Sequence, residues 1–390
     1  MKKLLGVILT IAIAVAIAPL SSGAAPKPVV TPKTGASCSP VGKTVVVGTK
    51  KFSCVKSGRK SVWNKPATLP SPRPSNTAAP VPQVTLDNLS VAGVYDFSRA
   101  SVNAEILKNG SSKLSVSYFV GQSVASSTLD AVKPDLNRAI DLWGPVFAPT
   151  DRISIIWYVQ QDLAWAASNY VEESGNPVQW SGILNSCTVN YCGNATATVG
   201  ANGKFVFEQG MNLGQLGWNR STAGHEFTHL AQSKLAYPNQ QKMPLWLLEG
   251  GAQFYGEATG YLLIDPNKTI RSGMHKQYAS DASALVATNF SSQSLKQVLA
   301  AGNPANTAKL FKLVELEPWG PERTSLAYLL GSYGTEVLVA VYGHQKIVEL
   351  FREFETSTNW EANFQKVYGI STSTFYEKLT PYLQMMAGEL

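Results

Sequence analysis

The sequence predicts an α+β domain that follows a small disulfide-stapled module. Three observations predict this. In the main body, strand-like runs come first and helix-like runs follow, the order that segregates a sheet from its helices. A proline-dense stretch, "PATLPSPRPSNTAAPVP" at 66–82, reads as an extended linker between two parts. The two parts also differ in charge. Residues 1–86 hold twelve Lys or Arg and no Asp or Glu, whereas the rest of the 390-residue chain holds 21 basic and 26 acidic residues.

The chain opens with Lys2 and Lys3, an apolar run from Leu4 to Ala18, Pro19, and small residues to Ala25. That layout is expected of a secretory signal peptide over 1–25, with cleavage near Ala24 or Ala25. An uncleaved anchor is the alternative, but the run is short of the ~20 apolar residues a spanning helix needs. Residues 26–65 read as a small basic module. Thr44–Val47, Lys51–Val55 and Ser61–Trp63 have strand character around Gly48. So short a segment buries little core, so a staple between Cys38 and Cys54 would carry much of its stability. The four cysteines fall into two local pairs, Cys38/Cys54 and Cys187/Cys192, and local pairing is the simplest of three possibilities. Residues 66–83 form the linker. The basic arm is either a solvated extension or an attachment to an anionic cell-envelope polymer or lipid headgroup.

Residues 84–390 have globular composition. "KLSVSYFVG" alternates like a strand, "DRISIIWYVQ" is a strong strand, and "GKFVFEQG" a shorter one. Between the first two, Leu129, Val132, Leu136, Ile140 and Trp143 recur at helical spacing. Helices are expected over Ser221–Lys234 and Pro244–Ala258, where Pro244 suits a first turn. From about Asn306 the chain reads as mainly helical.

Within "STAGHEFTHLAQSK", His225 and His229 stand four apart, so both imidazoles leave one helix face and can offer two nitrogens to one ion. Glu226 lies about 100° further round. There it is placed to take a proton from a water at a fourth position and return it to a leaving amine. Two histidines leave the ion a protein ligand short. Downstream, "PLWLLEGGAQFYGE" places Glu249 twenty residues after His229.

"HEFTH" followed by Trp246, Leu247, Glu249, Gly250 and Ala252 resembles the gluzincin metallopeptidases of the peptidase MA-like group. The resemblance covers about 116–390. It implies a thermolysin- or gluzincin-like fold: a small sheet, an HExxH helix, a glutamate helix and a mainly helical C-terminal part. It implies one Zn²⁺ on His225, His229 and Glu249. It also implies a tyrosine that stabilises the oxyanion, for which Tyr328 in "YLLGSYGTEVLVAVYG" is the candidate and Tyr333 its competitor. Two departures stand out. Where thermolysin-like members carry an aspartate that orients a ligand histidine, this chain has Gln253, whose amide oxygen can accept an imidazole N–H without adding charge. The aminopeptidase G-x-M-E-N segment is absent, and "GKFVF" is expected as an edge strand that holds an extended peptide. His275 and His344 have no partners that the sequence suggests. Cys187–Cys192 is expected either to stiffen a loop near the cleft or to serve structure alone.

These readings make the chain a secreted, zinc-dependent peptidase, acting within chains rather than at their ends, with a peptide or protein substrate and a monomeric state. The competing reading is a non-catalytic envelope-binding or adhesion protein on the same fold. No G-x-S-x-G motif supports a serine hydrolase, and no nucleic-acid motif supports a nucleic-acid partner.

Overall fold

The computed structural model describes residues 32–47, 50–68, 83–110, 113–177, 180–188, 191–193, 195–211, 216–261, 268–315 and 320–390. The expected signal peptide and most of the linker lie outside these residues. Packing divides the chain into two units, Met1–Val81 and Pro82–Leu390.

The first unit is a small antiparallel sheet. Strand β1 (Thr44–Val47) pairs with β2 (Lys50–Ser57), and β2 pairs with β3 (Lys60–Trp63). A short β4 (Ala67–Thr68) also pairs with β2, so ordered pairing runs two residues into the stretch read as linker. Among the described residues of this unit only Phe52 and Cys54 are buried, and the Cys38–Cys54 disulfide closes it.

The second unit is mixed α+β. Helix α1 (Val94–Asn109) precedes β5 (Ser115–Val120). Then come α2 (Ser126–Trp143), β6 (Arg152–Tyr158), α3 (Leu163–Ser174) and α4 (Trp180–Leu184). A hairpin of β7 (Cys187–Thr188) and β8 (Tyr191–Cys192) leads to β9 (Ala195–Val199) and β10 (Phe205–Gly210). The sheet order is β5-β6-β10-β9. The first two pairings are parallel, with α2 supplying the crossover that a parallel pair requires. The last is antiparallel, with Phe207 opposite Ala197.

This arrangement corrects one expectation. "GKFVF" is not an edge: β10 is an inner strand, buried along its whole length, and the edges are β9 beside it and β5 on the far side. Strand β10 is buried on both faces because both are covered. Phe205 and Phe207 join the main core beside Ile155, Trp157 and Phe227, while Val206 joins a smaller core with Ile156, Ala166 and Tyr170.

The remaining helices are α5 (Leu216–Ala236), α6 (Leu245–Thr259), α7 (Thr269–Asp281), α8 (Ser283–Asn289) and α9 (Leu295–Ala300). They are followed by α10 (Pro304–Leu313), α11 (Pro321–Tyr342), α12 (His344–Thr356), α13 (Trp360–Tyr368) and α14 (Thr372–Met386). Helix α6 is buried at every position, as expected of a helix covered on all sides. Its neighbours come unusually close. A Cβ on Gly331 of α11 would lie 2.7 Å from Gly250 Cα and 2.8 Å from the Trp246 carbonyl carbon. A Cβ on Gly256 would lie 3.1 Å from the Cβ of His225 on α5. Gly250 and Gly256 of "EGGAQFYGE" therefore serve close helix crossings.

Below these crossings lies a buried ionic lattice. Arg99 of α1 and Arg271 of α7 meet Glu257 of α6 and Glu336 of α11. Tyr382 of α14 donates to Glu336. Every one of these side chains is buried.

Candidate metal centre

Helix α5 is fixed at both ends of its functional stretch. Gln209 on β10 accepts from Trp157 Nε1 at 3.2 Å and donates to the Asn219 carbonyl at 3.0 Å, tying the sheet to the first turns of α5. Arg220 pairs with Asp135 of α2. Further along, Trp143 Nε1 donates to Thr228 Oγ1 at 3.0 Å. His225 and His229 leave the same face of this held helix, and α6 brings Glu249 across to them.

Three ligand atoms converge. His225 Nε2 and His229 Nε2 are 3.0 Å apart, and Glu249 Oε2 lies 3.4 Å from the first and 3.3 Å from the second. A tetrahedral zinc ion with N and O ligands at 2.0–2.1 Å holds those ligands about 3.3 Å from one another. The triangle therefore has the size that zinc requires. Among the described residues it is the one group of three or more His, Cys, Asp or Glu side chains that meets such a spacing.

The electrostatics agree. Burial pulls His225 below its ordinary pKa, against the Glu249 carboxylate. Burial acts the same way on His229, but Glu249 and then Glu226 outweigh it and raise this histidine to about 9. Burial would raise Glu249, but His229 and the hydrogen bonds from both imidazoles hold it far below the usual carboxylate range. The His229 and Glu249 shifts favour one positive charge at the centre of the triangle, and the lowered His225 keeps a neutral imidazole beside it. A proton on His229 satisfies that demand, and so does a cation; metal binding there displaces the proton.

The other ring nitrogens are held by amides. His229 Nδ1 lies 2.7 Å from Gln232 Oε1, and Gln232 Nε2 donates to the Leu248 carbonyl at 2.9 Å. Gln232 thus orients a ligand histidine and clamps α5 to the start of α6. His225 hydrogen-bonds Gln253. With its Nε2 turned to Glu249, the nitrogen that reaches Gln253 is Nδ1. Amide oxygens that accept Nδ1–H leave both Nε2 lone pairs facing the ion site.

The centre opens into a cleft of about 560 Å³. Glu226 lines it next to His225, with Tyr328, Tyr278, Trp218, Ser325 and Asp281. Burial raises Glu226 to about 8; His229 lowers it, and the negative charges of Glu249 and Glu208 add to the rise. The Tyr328 ring meets the His225 ring edge-on at 5.5 Å, and its hydroxyl hydrogen-bonds Glu249. Tyr333, the competing candidate, lies elsewhere. It is fully buried, with its hydroxyl 3.0 Å from His275 Nδ1. Cys192 and Gly193 border the cleft, which places the Cys187–Cys192 disulfide at a cleft wall, and Ala195 at the start of edge strand β9 borders it too.

Both remaining histidines are core residues with definite partners, which the sequence did not suggest. His275 Nε2 is 2.8 Å from Glu257 Oε1. His344 Nδ1 is 2.8 Å from the Tyr255 hydroxyl. Sequence reasoning also passed over Gln232 and Glu257. A signal for both was present: Gln232 is one turn past His229, and Glu249, Gln253 and Glu257 recur every four residues on one face of α6. Glu208, in the "FEQ" of β10, is fully buried, faces the smaller core and does not line the cleft.

Compared with protein-family profiles, with curated proteins and with solved structures, the chain finds no match.

Proposed function

We propose that this chain is a secreted zinc-dependent endopeptidase of the gluzincin type, with His225, His229 and Glu249 as zinc ligands. The observation that carries the reading is the triangle of Nε2, Nε2 and Oε2 atoms at 3.0–3.4 Å with Glu226 beside it in an open cleft. A zinc ion bound there supplies a Lewis acid and brings a water's pKa down to about 7.

The protein's own groups do the rest. Glu226 accepts the proton as the water oxygen attacks the peptide carbonyl carbon, and it gives that proton to the amine nitrogen as the C–N bond breaks. A dication beside it favours the ionised form that this role needs. Tyr328 directs its O–H into the same space and donates to the oxygen that becomes negative. Edge strand β9 aligns an extended substrate by strand addition along the cleft wall. Glu208 is turned away from the cleft, so the described lining offers no glutamate at that strand to capture a substrate's amino terminus. This favours cleavage within chains.

The two disulfides fit an oxidising compartment, which supports secretion. No helix among the described residues is long and apolar enough to cross a membrane. The acid-free module is the part suited to an anionic envelope surface.

The deciding experiment is zinc content by elemental analysis together with digestion of an unfolded protein substrate. About one zinc per chain and internal cuts are expected. Glu226→Gln keeps the zinc and abolishes the cuts. No zinc after it is offered in excess would overturn the reading and favour a binding protein built on this fold.

A further inference from the structure

Glu257 lies outside the ligand set and outside the cleft lining, yet it is the group on which the buried lattice converges. Its Oε1 receives Gln253 Nε2 at 3.1 Å and faces His275 Nε2 at 2.8 Å. Its Oε2 faces Arg271 Nε at 3.5 Å, Arg99 Nη2 at 3.6 Å and Ser332 Oγ at 3.3 Å. Burial would raise Glu257, but His275 first, and then the Arg271 and Arg99 guanidinium groups, hold it well below the usual carboxylate range, and an ionised carboxylate only accepts hydrogen bonds.

That fact orients everything above it. Because Glu257 only accepts, the Gln253 group turned toward it is the NH2. The Gln253 oxygen therefore faces the other way, where it accepts Tyr278 O–H at 3.2 Å and the imidazole of His225. Because Gln253 offers only an oxygen there, His225 carries its proton on Nδ1. Its Nε2 lone pair is then left pointing at Glu249 Oε2 and His229 Nε2. A flipped amide would set an N–H against Nδ1, favour the wrong tautomer and close the nitrogen that a metal needs.

We propose that Glu257 is a positioning residue of the metal centre, acting through the Gln253 amide to fix the tautomer and the aim of His225. This rests on the zinc-site reading above. It also resolves the apparent weakness of a glutamine behind a ligand histidine: the negative charge is present, one hydrogen bond further back. The amide passes its polarisation on, since hydrogen-bonded groups in series strengthen one another in a buried setting.

The test is a double-mutant cycle on the full chain, read as zinc affinity in competition with a chelating dye and as urea unfolding of the zinc-free protein. Gln253→Met breaks the relay and leaves every ion pair of the lattice in place. Glu257→Gln removes the fixed acceptor. Each is expected to weaken zinc binding about 10–100-fold, and the double variant no further than the weaker single. In unfolding, by contrast, Glu257→Gln alone should be costly, because it strips partners from Arg99 and Arg271. Should Glu257→Gln not fold, Glu257→Asp keeps the charge but withdraws it by one methylene from Gln253, and the same loss of zinc affinity is expected. Unchanged zinc affinity in a folded Glu257 variant overturns the proposal, as do losses that multiply in the double variant. A parent chain that binds no zinc would overturn this proposal and the zinc-site reading together; a parent that binds zinc with unaffected variants would overturn this proposal alone.

Discussion

Replacing Gly331 by alanine sets two effects of known size against each other. In a solvated helix, Gly→Ala stabilises by about 1 kcal/mol because the unfolded chain loses freedom. Gly331, however, sits where α11 crosses α6. The new Cβ would run into the Trp246 carbonyl oxygen, and it would fall 2.7 Å from Gly250 Cα and 2.8 Å from the carbonyl carbon of Trp246. Ordinary carbon–carbon contact is about 3.5–4.0 Å, so the two helices must part by about 1 Å. All three obstacles are backbone atoms of a helix buried on every side, so no side chain can swing aside. Overpacking of this kind costs about 1–3 kcal/mol and sometimes more; with nothing free to yield, the upper end applies. The net expectation is a loss of about 2 kcal/mol, roughly a 30-fold fall in the folded-to-unfolded ratio. Because Gly250 adjoins Glu249, the same displacement moves a ligand oxygen and weakens zinc binding. The assay is urea unfolding with a parallel zinc titration. The internal control is Gly273 on α7, where a Cβ would meet nothing within 4 Å; Gly273→Ala should stabilise by about 1 kcal/mol. If Gly331→Ala is as stable as the parent and binds zinc equally well, close crossing is not what Gly331 provides.

Other outcomes follow from the site and the core. His229→Ala should reduce zinc from about one per chain to little, since two ligands hold the ion poorly; full retention on elemental analysis would remove His229 from the ligand set. Tyr328→Phe should lower kcat by about 10²–10³ with zinc content unchanged, while Tyr333→Phe should cost stability and leave kcat near the parent value; the reverse result would exchange their roles. Burial, with Lys108 adding, pushes His344 down to about 3 against an ordinary 6.5. The unfolded chain therefore takes up a proton that the folded chain refuses, and stability falls as the pH drops from 6.5 toward 3. At pH 4.5 this one group should account for about 2–3 kcal/mol of the loss. His344→Gln should flatten the pH dependence of urea unfolding by that amount; identical slopes would sink the argument.

The parts of this fold that hydrophobic pattern reveals are those held by hydrophobic contact. Helix α2 was legible because Val132, Leu136, Ile140 and Trp143 all point to the core. Strands β6 and β10 were legible as apolar runs, but which of the strands lies at the edge was not. That depended on β9, whose "ATATV" is too small and too short to announce itself. Helices α1 and α7 carried no clear signal for a different reason. The residues they bury include Ser98 and Arg99 on one and Arg271 and His275 on the other, so the inward face of each is partly polar. Of the candidate site, the ligand spacing was readable because His225 and His229 are one turn apart. The amides behind them were harder to see, since a glutamine has no fixed role until its neighbours decide which end donates.

Glu336 gives the large unit an order of assembly. It is bound by Arg99 from the first helix, by Arg271 from the middle of the chain and by Tyr382 from the last helix. The first of these contacts spans 237 residues. A nascent chain can therefore pair this carboxylate with Arg99 and Arg271, both made before it, but its hydrogen bond from Tyr382 waits until the final helix has been made and docked. Contacts that distant form late and slowly, so the two ends of the unit close on one another as a last step. Trimming the first helix, a common move when a domain is prepared in isolation, would take Arg99 from the lattice and strand a negative charge in the interior, and trimming the last would leave a buried carboxylate without its Tyr382 donor.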